Sequence, residues 1–142
     1  MNEDLLRTLY ERWLKELWNG DLTVAEDLVS ADFAIHHGAI QPGTDKELTG
    51  PQGIAELVSQ GRAFFGELTF ETEVSPVIQG DMLAARWVGH GTYAGGVPGA
   101  TAEPGTPVVF RGNDILKVAD GRFVEYWVCS DGSYLFQQLG LG

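Results

Sequence analysis

Only one of the 142 residues is a cysteine, Cys129. An internal disulfide is therefore excluded, and the chain suits a reducing, cytoplasmic setting. Positive charge is also scarce: 9 Lys and Arg stand against 20 Asp and Glu, for a formal net charge of −11. Nucleic acid and anionic membrane surfaces do not attract such a chain. No apolar run is long enough to span a bilayer, and no basic segment followed by a hydrophobic stretch opens the sequence. The 3 histidines and lone cysteine form no zinc-ligand spacing, and no glycine-rich phosphate loop occurs.

What is present is a 44% apolar composition and enough chain for one domain, residues 1–142, with a sizeable core. The most informative stretch is VVFRGNDILKVADGRFVEYWVCSDGSYLFQQLG, residues 108–140. It reads as two long antiparallel strands, a tight turn at Ala119-Asp120-Gly121 and a short closing helix over Ser133 to Leu139. Val108, Phe110, Gly112, Asp114, Leu116 and Val118 share one face of the first strand, because side chains alternate. That row is apolar except for Asp114. A two-residue turn would set Asp114 opposite Trp127. A three-residue turn with Gly121 in a left-handed bulge would set it opposite Tyr126, and this is the expected register. A carboxylate on a core-facing row must find donors or hold its proton more tightly. Asp114 is thus either a structural acid bonded to Tyr126 or a backbone amide, or an acid/base group lining a pocket beside Tyr126.

The preceding chain supplies the other layer. Leu5, Leu6, Leu9, Tyr10, Trp13, Leu14, Leu17 and Trp18 recur at helical spacing, predicting an amphipathic helix over residues 3–18 that ends at Asn19-Gly20. The polar tips of Tyr10 and Trp13 are candidates to reach an interior cavity. A capping box of Thr23 and Glu26 predicts a second helix. A short strand over residues 32–38 carries His36 and His37, which point to opposite faces, and one of them is expected inward. A polar loop, residues 39–49, precedes a third helix from Pro51 that carries Ile54, Leu57, Val58, Phe64 and Phe65. Period-two patterning then predicts a strand from Leu68, a turn at Gly80-Asp81 and a strand from Met82 to Tyr93 with Leu83, Ala85 and Trp87 on one row. Gly89 and Gly91 suggest a bulge. The Gly/Pro-rich loop of residues 94–107 is longer than a hairpin needs, as covering loops often are.

Three helices ahead of a four-strand meander indicate an α+β fold, with helices packed in a curved antiparallel sheet that encloses a cone. Val109, Ile115 and Trp127 on the outer face suit a sheet-to-sheet homodimer.

The helix order, the segments GHGTYAGG and FRGNDILKVADGRFVEYW, and the terminal LFQQLG resemble the SnoaL-like polyketide cyclases, which have the nuclear-transport-factor-2-like cone fold. The likeness covers nearly the whole chain and is most specific in its C-terminal third. It implies a homodimer, a deep apolar pocket, no cofactor, and ring closure by aldol chemistry with an acidic side chain as acid/base. Carried over by position, the family's catalytic aspartate falls on Val128, which cannot move a proton. The histidine before it falls on Tyr126, the cyclases' pocket histidine on the preceding strand falls on Asp114, and a later acid is kept as Asp131. Asp114 and Tyr126 are accordingly the candidate catalytic pair. Tyr10, Trp13, His36, Arg86, Trp87, Phe110, Val128 and Asp131 are candidate binding residues.

The function expected is a cofactor-free cyclase or isomerase for an apolar, polyketide-like molecule, working by proton transfer or by shape alone. A non-catalytic binding module is one alternative. An epoxide hydrolase using Arg86, Asp114 and Asp131 is another.

Overall fold

The computed structural model describes residues 3–36 and 48–141. His37 and residues 39–47 of the expected loop lie outside the described residues. The first helix, α1 (Glu3–Arg12), buries Leu6, Leu9 and Tyr10 and continues into a π-helical turn, Trp13–Leu17. In that turn the amide of Trp18 reaches back to the carbonyl of Trp13 at 3.0 Å. The wider turn keeps Trp13, Leu14 and Leu17 on the buried face that Tyr10 begins. The end of the helix is tied to the sheet by Asn19, whose side-chain oxygen accepts from the Phe70 amide at 2.7 Å.

A 3-10 turn, Leu22–Val24, leads into α2 (Ala25–Leu28). The expected Thr23 cap does not form: α2 has no side-chain cap, and it is the 3-10 turn that is capped, by the Asp21 carboxylate, which accepts from the Thr23 amide at 3.2 Å and from the Thr23 hydroxyl. Asp21 follows the helix-ending Gly20 directly, and an aspartate readily bonds the backbone two residues on. Strand β1 (Val29–His36) comes next, then α3 (Gly50–Arg62). Gly50 has φ of +70°, and a Cβ there would lie 2.7 Å from the Ala31 carbonyl oxygen, so the approach of α3 to β1 requires glycine. Helix α3 stops at Arg62. Phe64 sits in the following turn and Phe65 opens β2 (Phe65–Gln79), so neither belongs to the helix as expected.

Strands β3 (Met82–Tyr93), β4 (Pro107–Ala119) and β5 (Arg122–Ser130) complete an antiparallel meander with β2, and β1 adds in parallel beside β5. The sheet order is β1-β5-β4-β3-β2. The β3–β4 ladder runs unbroken through Gly89 and Gly91, and the irregularities lie on β2, between Phe65 and Leu68, Thr72 and Val74, and Val74 and Val77. The rings of Phe70 and Phe110 close over Gly89, at 3.0 and 3.2 Å from where a Cβ would be, so a side chain there would have to push them back by a few tenths of an ångström.

The β4–β5 register differs from the expected one. The turn has two central residues, Asp120 and Gly121, both with positive φ, and Ala119 pairs with Arg122. This is the primed turn that Asp-Gly favours. Val124 is then an extra residue, because Val118 pairs with Phe123 while Lys117 pairs with Glu125. The turn and the bulge together set Leu116 opposite Tyr126 and Asp114 opposite Val128. Tyr126 and Val128 still share the core face with the even row of β4 as expected, since the combined slip is an even number of residues, while before the bulge the odd-numbered Phe123 takes that face opposite Val118.

The short α4 (Gly132–Gln138) closes the chain. Residues 94–106 do not reach Asp114: the Thr101 and Ala102 amides donate to the Leu139 carbonyl at 3.0 and 3.1 Å, and Val97, Ala100 and Ala102 pack around Tyr93, Val108 and Leu139. Among the described residues no helix is long and apolar enough to cross a membrane.

Candidate active site

Asp114 is 1% exposed and is the one charged or polar residue among the buried core residues described. Strand β4 aims it into the cone, where α1, the π turn, β3 and β5 converge on it. Four side chains donate to its carboxylate. Tyr126 Oη and Trp87 Nε1 bond Oδ1 at 2.9 and 3.1 Å, and Tyr10 Oη and Trp13 Nε1 bond Oδ2 at 3.0 and 3.4 Å. Each oxygen therefore receives one rotatable hydroxyl and one fixed indole N–H.

The donors are held by packing. The Trp13 ring meets Tyr126, Phe123 and Phe33 edge-on at centroid distances of 4.8, 5.4 and 5.9 Å. Trp87 meets Phe70 at 5.2 Å and Phe110 at 5.7 Å. The spacing of Tyr10 and Trp13, three residues apart, puts both on one helical face.

Burial pushes the Asp114 carboxyl up to about 6, and the hydrogen bonds from Tyr126, Tyr10, Trp87 and Trp13 restrain that rise. Burial, followed by the nearby Asp114 charge, pushes both tyrosines well above their ordinary value, so they remain neutral donors. An ionised carboxylate is thus kept inside the cone by four neutral dipoles rather than by a cation. When it takes up a proton, either hydroxyl can rotate and become the acceptor, which the indoles cannot do.

The resemblance implies a deep pocket, yet the interior around Asp114 is packed. A void of about 10 Å³ remains there, lined by Leu14, Trp18, Phe70, Trp87, Asp114 and Tyr126. That is at the threshold for one water molecule. Of the donors to Asp114, only Trp87 and Tyr126 line it, and both bond Oδ1. The void therefore lies on the Oδ1 side of the carboxylate.

The structure brings Tyr10, Trp13, Trp87, Phe110 and Tyr126 together with Asp114, and places Val128 opposite Asp114 in register, half-buried against the same core. Three candidates lie elsewhere. His36 is exposed on the outer face, where it bonds Glu125 at 2.8 Å and stacks on Trp127, because its partner in the ladder is the outward Trp127. Arg86 is also outside: it alternates with the inward Trp87 and bonds Glu73 at 2.8 Å. Arg111 bonds the other oxygen of Glu73 at 2.8 Å, and the two guanidiniums, Arg111 foremost, hold the Glu73 carboxyl below its ordinary range. Asp131 accepts from the Arg111 amide at 2.8 Å and fastens the end of β5 to β4. The Asp-Arg-Asp arrangement of a hydrolase is therefore not assembled.

Leu14 and Trp18 belong to the apolar stripe of the first helix and Phe70 to the strand that begins near Leu68, positions that local pattern marks only as core. Among the described residues, the Trp18 indole nitrogen is buried without a hydrogen-bond partner. An orphaned donor cannot be foreseen from a helical stripe of tryptophans. Among the described residues no three His, Cys, Asp or Glu side chains converge as a metal site would require.

A family model for SnoaL-like polyketide cyclases matches residues 8–139. The solved structure of IdmH from Streptomyces antibioticus, a proposed polyketide cyclase, is similar at 31% identity and a TM-score of 0.73, over 97% of this chain and 97% of that one. TsrD from Streptomyces laurentii superposes with a TM-score of 0.78 at 20% identity, over 100% of this chain and 99% of that one. A protein of ketosteroid-isomerase-like fold from Catenulispora acidiphila, solved with trimethylamine, gives 0.72 at 18% identity, over 94% of this chain and 93% of that one. These last two are similar in fold. Comparison with curated proteins gave no match. The architecture is the cone expected from the sequence.

Proposed function

Since the chain belongs to the SnoaL-like polyketide cyclase family, we propose that it is a cofactor-free cyclase or isomerase acting on an apolar, polyketide-like molecule, with Asp114 as its base. The observation that carries this reading is the Asp114 carboxylate itself. It is ionisable near 6, it sits in an apolar interior, and one side of it faces a void shared with Tyr126. A base with that affinity is matched to proton abstraction near neutral pH.

In the proposed reaction Asp114 takes a proton from the carbon next to a substrate carbonyl, leaving an enolate. The enolate carbon attacks a second carbonyl of the same molecule, a C–C bond closes, and the resulting alkoxide recovers the proton. Tyr126 rotates its hydroxyl as Asp114 is protonated and stays beside the reacting oxygen. The aromatic walls, Trp87 and Phe110 among them, hold the chain folded, and orientation of this kind is worth about 7–11 kcal/mol at best. Substrate entry requires these rings to move apart.

A second reading is favoured by the saturation of the carboxylate: Asp114 only organises the aromatic walls, and ring closure follows from shape alone. The outer face supports a homodimer in either case, with Ile115 42%, Val74 48% and Val77 68% exposed on or beside the sheet.

The test is a thermal-shift and turnover screen against linear polyketide mimics, polyenes, epoxides and steroids, using wild type, Asp114→Asn and Tyr126→Phe. Proton-transfer catalysis predicts a polyketide mimic that stabilises all three proteins but is turned over by wild type alone. Equal turnover by Asp114→Asn moves the function to shape-directed closure.

A further inference from the structure

We propose that the void beside Asp114 seats a single carbonyl oxygen, and that the Trp18 indole N–H is its hydrogen-bond donor. The inference rests on reading this interior as a substrate site and adds the group that holds the reacting carbonyl. A buried N–H with no acceptor is rare in folded proteins and calls for a partner from outside the protein. The indole nitrogen of Trp18 is such a group among the described residues, and Trp18 lines the void.

Hydrogen-bond accounting fixes the chemistry of the occupant. Of the six lining residues, Leu14 and Phe70 offer no side-chain polar atom. Trp87 spends its N–H and Tyr126 its O–H on Asp114 Oδ1, and the two Asp114 oxygens already receive four donors between them. The unspent donor is that of Trp18, so the entering group must accept. A ketone oxygen accepts and does not donate, and a void of about 10 Å³ fits one oxygen and no larger polar group. Trp18 is also the one lining residue that is partly exposed, so the seat lies a single ring away from solvent. An oxygen held there would share the void with Asp114, where the enolate develops its charge.

The experiment compares acetophenone with α-methylstyrene, in which C=CH₂ replaces C=O at nearly the same shape. The protein is ¹⁵N-labelled at its 4 tryptophans, and Trp18→Phe identifies the Trp18 indole signal. Acetophenone is expected to move that signal and α-methylstyrene to leave it in place. The ratio of the two affinities should fall about fivefold in Trp18→Phe, the worth of one neutral hydrogen bond. If that variant folds poorly, Phe variants of the other three tryptophans, Trp13, Trp87 and Trp127, identify the Trp18 signal by elimination, and the wild-type spectrum then decides. A Trp18 signal untouched by acetophenone overturns the proposal, whether because the ketone does not bind or because a fixed water holds the site. So does an affinity ratio that Trp18→Phe leaves unchanged. Loss of this seat with turnover still dependent on Asp114 would leave the proposed reaction standing. A seat present without such dependence would do the reverse.

Discussion

Tyr126 Oη lies 2.9 Å from Asp114 Oδ1, although the residue opposite Asp114 on the neighbouring strand is Val128. The bond is diagonal across the sheet, from a tyrosine two positions along the strand. Its length lets a phenol reach where an aspartate at 128 would stand directly. The chain thus keeps an acid at the centre of the cone on β4, and the position opposite on β5 is apolar.

Removing the acceptor should be more damaging than neutralising it. Asp114→Leu leaves two fixed indole N–H groups and two hydroxyls facing hydrocarbon, and each orphaned donor costs about 1–3 kcal/mol. Asp114→Asn keeps one acceptor oxygen and should lose less. Urea unfolding of the two variants should rank them in that order, and a more stable leucine variant would show that the donors relax at little cost.

Acidity gives a second prediction. Asp114 titrates at about 6 when folded, against 3.8 when exposed, because burial raises it. The folded state therefore holds this proton more tightly. The resulting stabilisation is complete below 3.8 and is lost as pH rises through 6, a change of about 3 kcal/mol. Subtracting the stability of Asp114→Asn at each pH cancels other groups, such as the ion-paired Glu73. The difference, wild type minus variant, should fall by that amount from roughly pH 3.5 to 6.5. A flat difference would place the folded value at the ordinary one.

Gly112 supports the Trp87 indole. A Cβ at 112 would collide with the six-membered ring of that indole and come 2.9 Å from the Cys129 carbonyl oxygen. Gly112→Ala should cost about 1–3 kcal/mol by overpacking. It should also turn Trp87 away from Oδ1, shifting tryptophan fluorescence and reducing turnover. An unchanged emission spectrum would mean that the backbone yields instead.

The outer face predicts the assembly. Ile115→Lys puts a charge at the middle of the exposed apolar row and should convert a homodimer to monomer in sedimentation, with the fold intact by circular dichroism. Equal sedimentation of variant and wild type would move the interface elsewhere.

Much of this was legible in the residues. The period-two rows gave the strands, and Asp114 in an apolar row marked the acid that the structure buries. The shared face of Asp114 and Tyr126 followed from parity, although the pairing did not: a two-residue turn plus the bulge at Val124 reaches the same parity by another route. His36 lies outside because the parallel pairing of β1 with β5, which is not written in either segment, sets it against the outward Trp127; Arg86 alternates with the inward Trp87 on β3, so parity alone puts it on the outer row. The cage of four donors combines residues up to 104 positions apart from Asp114, a separation at which no local pattern speaks.

The most direct measurement is deuterium wash-in to the methyl group of acetophenone in D₂O, followed by mass spectrometry for wild type and Asp114→Asn. It asks only whether the buried carboxylate removes a proton beside a carbonyl, whatever the natural substrate. Wild type should accelerate exchange, with a rate that rises with pH through about 6, and Asp114→Asn should lose about 10²–10⁴-fold of it. Equal exchange by the two proteins would contradict the role of Asp114 as a base.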